Sequence, residues 1–244
     1  MKRPRRFFAG FLPDRPGVMV VSGAELHHMR DVCRLRTGAQ VSLLGPDGAE
    51  VVAKIVQLGS RRALAEVVER RPAPASFPVV LAAAIIKGSR MDFMVEKAAE
   101  LGAAELWLMA TRRGVVPAPG AERRARWERL AAAAARQSLA PAPMAIRAAL
   151  SVAEVAAKAP PEALRLVCVQ GGAPLGGILK EDAAHALVVA CGPEGDFAPE
   201  ELAALRGAGF VPCGLGPNRL RAETAALAAL SVVLASRVGA EQGD

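Results

Sequence analysis

Two stretches of the 244-residue chain concentrate glycine, proline and charge: CGPEGDFAPEE at 191–201 and GLGPNRLRAETAALAAL at 214–230. Each reads as a glycine-punctuated turn running into a helix with charge on its first turn. Such turns bring backbone N–H and C=O groups close to a ligand, with Gly192 and Gly195 available for positive φ and Pro193 stiffening the turn between them. The chemistry they suit is the gripping of a small molecule by main chain. Glu200 and Glu201 offset the dipole of the helix they open. The sequence holds no GxxxxGK[ST] loop and no GxGxxG after the first strand of the later sheet, which argues against a nucleoside triphosphate or a Rossmann-bound dinucleotide. It also lacks a GxSxG elbow and a histidine pair suited to a hydrolase. Cys33, Cys168, Cys191 and Cys213 form no CxxC pair, so free buried thiols are expected and no metal site. His27 and His28 fit a packing or capping role better than metal ligation.

Elements must position these turns. A hydrophobic fraction of 52% with 23% charged residues is that of a soluble globular protein. The apolar run at 79–86 falls far short of the roughly 20 residues that span a bilayer, and the N-terminus lacks a signal-peptide core. A cytoplasmic protein with no membrane association is expected. The segment RRPAPASFP at 70–78 has three prolines and cannot be an interior strand or helix, so a domain boundary is placed there, with domains at 1–72 and 77–244. Before it, β-leaning runs at 18–21, 41–44, 51–57 and 64–68, with a PDG turn at 46–48, read as a small barrel. One helix interrupts it from Ala24, with Ser22 as its N-cap. Beyond the boundary strands are expected at 79–86, 105–109, 164–169, 186–190 and 210–213. Helices are expected at 91–101, stopped by Gly102, at 121–138, at 152–158, from Pro199, and at 222–237. This alternation predicts an α/β domain with a mostly parallel sheet, and both glycine turns follow strands, at the end where such sheets bind ligands.

The net charge of +7 and pI of about 9.8 suit a polyanionic partner. The first six residues, MKRPRR, carry four positive charges and precede Phe7 and Phe8. This arm either tracks phosphates and stacks a base, or serves as a solubilising tail.

Taken together, PRRFF near the start, HHMRDVCRLRTG at 27–38, KGSRMDFMVEKAAELG at 87–102, TRRGV at 111–115, RQS at 136–138, GPEG at 192–195 and LGPNRLRAETAAL at 215–227 resemble the ribosomal small-subunit RNA methyltransferase E family. This is a branch of the knotted SPOUT methyltransferases, and the likeness runs over almost the whole chain. It implies an N-terminal PUA-like β-barrel that helps hold RNA and a C-terminal SPOUT α/β domain closed by a trefoil knot. It further implies a homodimer that binds S-adenosylmethionine in the knot and methylates uridine N3 in 16S ribosomal RNA, free or in the assembled small subunit.

The cofactor walls would then be Gly192, Pro193, Glu194 and Gly195 of the first turn, with Leu215, Gly216, Leu220, Arg221 and Thr224 of the second. Methylation at N3 requires loss of the imide proton, and a guanidinium would stabilise the anion that develops. Arg113 and Arg221 are the candidates, with Glu223 or the ionisation of the substrate itself handling the proton. An ion pair between Arg221 and Glu223 that fixes the start of the last helix is the structural alternative. Arg5, Arg34, Arg36 and Arg113 are the expected RNA contacts. Lys97, Glu100 and Gly102 are expected to be architectural. The chain departs from the family pattern where Arg112 replaces an acidic residue, where Ala140 replaces an arginine, and where Asp196 replaces the last glycine of GPEGG. A different RNA target, such as a ribose 2′-hydroxyl, or a non-catalytic RNA-binding assembly role are the competing readings.

Overall fold

The computed structural model describes residues 4–15, 17–45, 49–71, 78–138, 140, 142–181 and 184–238. The PDG turn, the proline-rich stretch at 72–77 and the basic residues Lys2 and Arg3 lie outside the described residues. The chain divides into two units. The first takes in the described residues up to Arg71 with Ala140 and Ala142, and the second takes in Pro78 to Ser138 and the remainder from Pro143.

In the first unit, β1 (Arg5–Phe8), β2 (Val18–Val21), β3 (Gln40–Leu44), β4 (Glu50–Leu58) and β5 (Ala63–Arg71) form one sheet in the order β1-β3-β4-β5-β2. β1 lies parallel to β3 and the remaining pairs are antiparallel. Register shifts along β4 and β5, after Val52 and after Ile55, are bulges that bend a sheet. Phe7, Met19, Val21, Val41, Leu43, Val51 and Ile55 point into one core with Leu26 and Met29. The expected helix from Ala24 is instead a short α1 (Gly23–His27) that widens into a π-helical turn, His28–Val32. Ser22 stands at its N-cap with extended backbone but makes no side-chain cap hydrogen bond. Of the proposed basic arm, Arg5 and Arg6 belong to the edge strand β1. Phe7 is 1% exposed and meets the ring of His28 edge-on at 5.5 Å, so it is not available to stack a base. Arg6 pairs with Glu50.

The second unit holds an all-parallel six-stranded sheet built from β6 (Val79–Ala84), β7 (Glu105–Ala110), β8 (Ala145–Ser151), β9 (Leu164–Pro174), β10 (Leu187–Cys191) and β11 (Val211–Gly214), in the order β11-β9-β10-β6-β7-β8. Its helices are α2 (Ser89–Leu101), α3 (Ala121–Ser138), α4 (Val152–Lys158), α5 (Leu175–Lys180), α6 (Pro199–Gly207) and α7 (Ala222–Val238). Both sheet faces are buried, so alternate residues of one strand enter different cores. Leu81 and Ala83 of β6 pack with α2, α3, α5 and α7, whereas Ala82 packs with α4 and α6. α2 ends at Gly102, whose φ of 101° gives the left-handed stop that a Cβ disfavours. α2 and α3 are joined by Asp92, which accepts from Trp127 Nε1 at 2.8 Å and from Arg126 at 2.8 Å. α4 opens with a reciprocal capping box between Ser151 and Glu154. Lys97 pairs with Glu96 and Glu100 along the exposed side of α2.

The chain starts this sheet at β6, builds outward through β7 to the edge at β8, and then crosses to the other side for β9, β10 and β11. Strand order therefore reverses between β6 and β10, the place where open parallel sheets leave a crevice for ligands. β9 outruns the expected 164–169 and continues to Pro174, alongside β11. Gly172 and Gly214 make this pairing possible. A Cβ on Gly172 would lie 2.6 Å from the carbonyl carbon of Cys213, and one on Gly214 would lie 2.5 Å from the carbonyl oxygen of Gly172. Backbone cannot yield as a flexible side chain can. Gly172→Ala is therefore expected to lower unfolding stability by about 1–3 kcal/mol, the usual range for forced overpacking. Urea denaturation checks this, with Gly176→Ala, whose Cβ would meet nothing within 4 Å, as the matched control.

Candidate functional site

The first turn leaves β10 at Cys191, and the Asp196 N–H closes it on the Pro193 carbonyl at 2.9 Å. Neither Gly192 nor Gly195 takes the positive φ expected of it; the residue in that conformation is Asp196, at φ 63°. Gly192 matters for space, because a Cβ there would come within 3.1 Å of the Phe197 ring. Asp196 tolerates the left-handed region because its own carboxylate accepts the Phe197 N–H at 2.8 Å. The second turn leaves β11 at Gly214, with Gly216 at φ 118°. The two turns touch directly. Arg219 donates to the Glu194 carbonyl at 3.0 Å, and Gln170 on β9 donates to the Pro217 carbonyl at 3.3 Å.

Between them lies a cavity of about 400 Å³, a size typical of small-molecule sites. Of the residues expected as cofactor walls, Gly192, Pro193, Glu194, Leu215, Gly216 and Leu220 line it. Gly195, Arg221 and Thr224 sit next to lining residues in the chain but do not line it. The remaining wall comes from Cys168, Val169 and Gln170 of β9, Cys191 of β10, Asp196, Asn218, Arg219, and Ala222 and Ala225 of α7. The β9 residues carry no glycine or charge signature in sequence. The lengthening of β9 beside β11 is what brings them here.

Three cysteines far apart in sequence meet at this end of the sheet. All are free, and Cys168 Sγ lies 3.8 Å from Cys213 Sγ. Contact with Cys191 and burial push the Cys168 thiol up, and contact with Cys168 and burial push that of Cys213 up. Cys168 and Cys213 therefore stay protonated, and Cys168 and Cys191 give the cavity wall soft, polarisable sulfur.

Arg113 reaches the first turn from the loop after β7, donating to the carbonyls of Gly195 at 2.9 Å and Phe197 at 3.2 Å. Both bonds use Nη1, and its remaining donors make no hydrogen bond among the described residues. Glu201 ties the same two loops together, accepting the Arg112 N–H at 2.7 Å with one oxygen and the Ala198 N–H at the start of α6 at 2.9 Å with the other. The Arg112 side chain turns to Glu200. Ala140 is 8% exposed, a buried position. Arg221 is exposed and forms no ion pair among the described residues, so the Arg221–Glu223 pairing does not occur there. Glu223 is 7% exposed, does not line the cavity, and has one oxygen without a hydrogen bond; its ion-pair partner is Arg90 of α2, at 3.6 Å. Arg90 also holds Glu194 at 2.5 Å. Nothing in the local sequence distinguishes Arg90.

The Glu194 carboxyl is held below its ordinary range, chiefly by its own backbone N–H, with partial burial opposing and Arg90 assisting. A carboxyl with a depressed folded value adds stability above its unfolded value and loses it as pH falls through the folded one. The tie through Glu194 is thus intact at neutral pH and released only in acid.

In the first unit Arg5, Arg34 and Arg36 are exposed and without ion pairs among the described residues. Arg34 follows the π-helical turn at φ 50°. His27 Nδ1 lies 2.6 Å from Asp31.

Residues 73–234 match the family model of an RNA methyltransferase domain, and residues 21–68 match that of an RNA methyltransferase PUA domain. The class is that of RNA methyltransferases carrying a PUA module. Among curated proteins, the ribosomal RNA small subunit methyltransferase E of Mycobacterium bovis is 34% identical over 256 aligned residues, covering 98% of this chain and 95% of that protein. The same-named protein of Synechocystis is 33% identical, covering 88% of this chain and 72% of its own. The crystal structure of ribosomal RNA small subunit methyltransferase E from Neisseria gonorrhoeae bound to S-adenosyl methionine superposes with a TM-score of 0.85 at 27% identity, covering 96% of this chain and 98% of that one. The chain belongs to the ribosomal RNA small subunit methyltransferase E family. Its first unit is accordingly PUA-like, and its parallel-sheet unit is SPOUT-like.

Asp196 generates a direct test. Asp196→Gly and Asp196→Asn are expected to fold with near-unchanged stability, because both tolerate positive φ. Asp196→Val is expected to lose about 1–3 kcal/mol, as a β-branched residue forced into that region. Chemical denaturation of the three variants checks the order.

Proposed function

We propose that the chain is an S-adenosylmethionine-dependent methyltransferase of 16S ribosomal RNA acting on uridine N3, with the RNA or the assembled small subunit as its substrate. The observation that carries this reading is the cavity between the two glycine turns at the sheet's switch point, in a chain alike over nearly its whole length to a structure solved with S-adenosyl methionine.

The residues present fit that cofactor. Leu215, Leu220, Val169, Ala222 and Ala225 offer apolar wall for a flat base, and the turns offer backbone polar groups for its edge. Two acidic residues, Glu194 and Asp196, and one basic residue, Arg219, are among those that line the cavity. No phosphate-binding loop is needed. When bound, the cofactor supplies a methyl group on a sulfonium.

We assign the uncommitted edge of the Arg113 guanidinium to the uracil carbonyl oxygens, where charge collects as the imide proton leaves. Its Nη1 bonds to Gly195 and Phe197 keep the group beside the first turn. Arg221, exposed at the start of α7, is assigned to the RNA side of the same site. Glu223 is assigned to holding Arg90, because its carboxylate is buried behind the wall; the imide proton then goes to solvent. Arg5, Arg34 and Arg36 are assigned to phosphates, which their exposure without ion pairs among the described residues supports.

The chain is further proposed to be knotted and to act as a homodimer in the cytoplasm. The close passage of Gly172 and Gly214, together with the Gln170 bond to Pro217, supports a threaded second turn. No helix among the described residues is long and apolar enough to cross a membrane.

Transfer of labelled methyl from S-adenosylmethionine to small subunits lacking the modification, with the product nucleoside identified by mass spectrometry, tests the proposal. N3-methyluridine is expected. A 2′-O-methylated nucleoside would move the target, and cofactor binding without any transfer would overturn the activity. Arg113→Ala is expected to lower kcat by about 10²-fold or more, the scale of losing one group that stabilises a developing anion, while S-adenosylmethionine binding persists.

A further inference from the structure

We propose that Arg90 is a positioning residue that locks the two cofactor turns together through Glu194 and Glu223. It stands on the first turn of α2, two residues after Gly88, whose φ of 68° and ψ of −146° let the chain turn from the end of β6 into the helix. β6 lies beside β10 with Ala83 opposite Cys191, so the start of α2 faces the turn that Cys191 opens. One nitrogen of Arg90, Nη1, serves both carboxylates: Glu194 at 2.5 Å on the first turn, and Glu223 at 3.6 Å on the helix that ends the second.

The two contacts differ in weight. The side chains of Arg90 and Glu194 are 36% and 44% exposed, and an exposed pair of that kind contributes little alone. Glu223 is 7% exposed with an oxygen that lacks any hydrogen bond, and Arg90 is the cation within 4 Å of it among the described residues. Removing one partner of a buried charge leaves the other uncompensated, which is where such pairs matter most. Arg90 thus anchors on Glu223 and from there restrains Glu194, which lines the cavity. Arg219 adds a second tie from within the second turn, to the Glu194 carbonyl. Neither Arg90 nor Glu223 lines the cavity, so Arg90 acts through the turns and not on the ligand.

The inference rests on the cofactor reading of the cavity, and its test keeps the two apart. Full-length wild type, Arg90→Ala, Arg90→Lys, Glu194→Gln and the Arg90→Ala/Glu194→Gln pair are titrated with S-adenosylmethionine by calorimetry. Amide hydrogen exchange is followed without ligand, and melting curves control for folding. Arg90→Ala should weaken binding about tenfold, equivalent to about 1.4 kcal/mol, and raise KM for the cofactor more than it lowers kcat. Arg90→Lys should restore part of the affinity. In the Glu194→Gln background the Arg90→Ala loss should shrink well below its size in the wild type, so that the double variant loses clearly less than the sum of the single effects. Exchange at 192–197 and 215–221 should quicken in Arg90→Ala while the central strands stay protected. Affinity and exchange both unchanged would overturn the assignment, as would fully additive losses. Failure of the wild type to bind S-adenosylmethionine would overturn the cofactor reading alone, and the ligand-free exchange of Arg90→Ala would still decide the role of Arg90.

Discussion

Where β9 and β11 run side by side, the backbones of Gly172 and Gly214 approach so closely that neither position has room for a Cβ. The rest of the site follows from that approach. It sets β11 against the far end of β9, so the chain leaving Gly214 passes over Cys168, Val169 and Gln170 and meets the turn leaving β10. With a side chain at either glycine the strands would stand apart and the turns would face solvent separately. A binding site made largely of main chain depends on this kind of constraint, because main chain can be placed only by placing strands.

Polar contacts then hold the turns in place, and most of them come from outside the turns. Arg113 and Glu201 fasten the first turn to the loop after β7, Arg90 fastens it to α2, and Arg219 fastens it to the second turn. Most of these bonds end on backbone carbonyls or N–H groups that no regular element satisfies, which also answers the cost of leaving such groups unpaired. Arg112 and Asp196, where the chain departs from the family pattern, each have a partner: Glu200 at the start of α6 for Arg112, and the neighbouring Phe197 N–H for Asp196.

Much of this was legible from sequence where a local signal coincides with the structural cause. Gly102 stops α2, the long amphipathic run at 121–138 is α3, and the apolar run from Val79 is a strand buried on both faces. The two glycine turns were visible as a site because glycine, proline and charge cluster there. Other features have causes that lie far along the chain. β1 reads as a basic arm, since only its pairing with β3 makes it a strand. β8, AIRAALS, sits at a sheet edge and shows little alternation, and α5, LGGILK, carries two glycines that lower helix propensity. The glycines of GPEG are the residues that sequence offers for positive φ, yet it falls on Asp196, because the turn closes from Asp196 back to Pro193. Arg90 meets its partners only once α2, β10 and α7 are assembled.

The strand order also bears on how the chain is made. β6, the first strand of the second unit, ends up near the middle of its sheet, with β7 on one side and β10 on the other. During synthesis β7 follows within a short span, while the other edge of β6, a run of Val, Leu and Ala, waits for a strand that emerges much later. Long-range parallel pairing of this kind is slow to form, and an unpaired apolar edge is open to association with other chains in the interval. The nascent protein is therefore most exposed to misassembly after α3 has left the ribosome and before β10 has, and a chaperone or a slowed stretch of translation would act to greatest effect within that window.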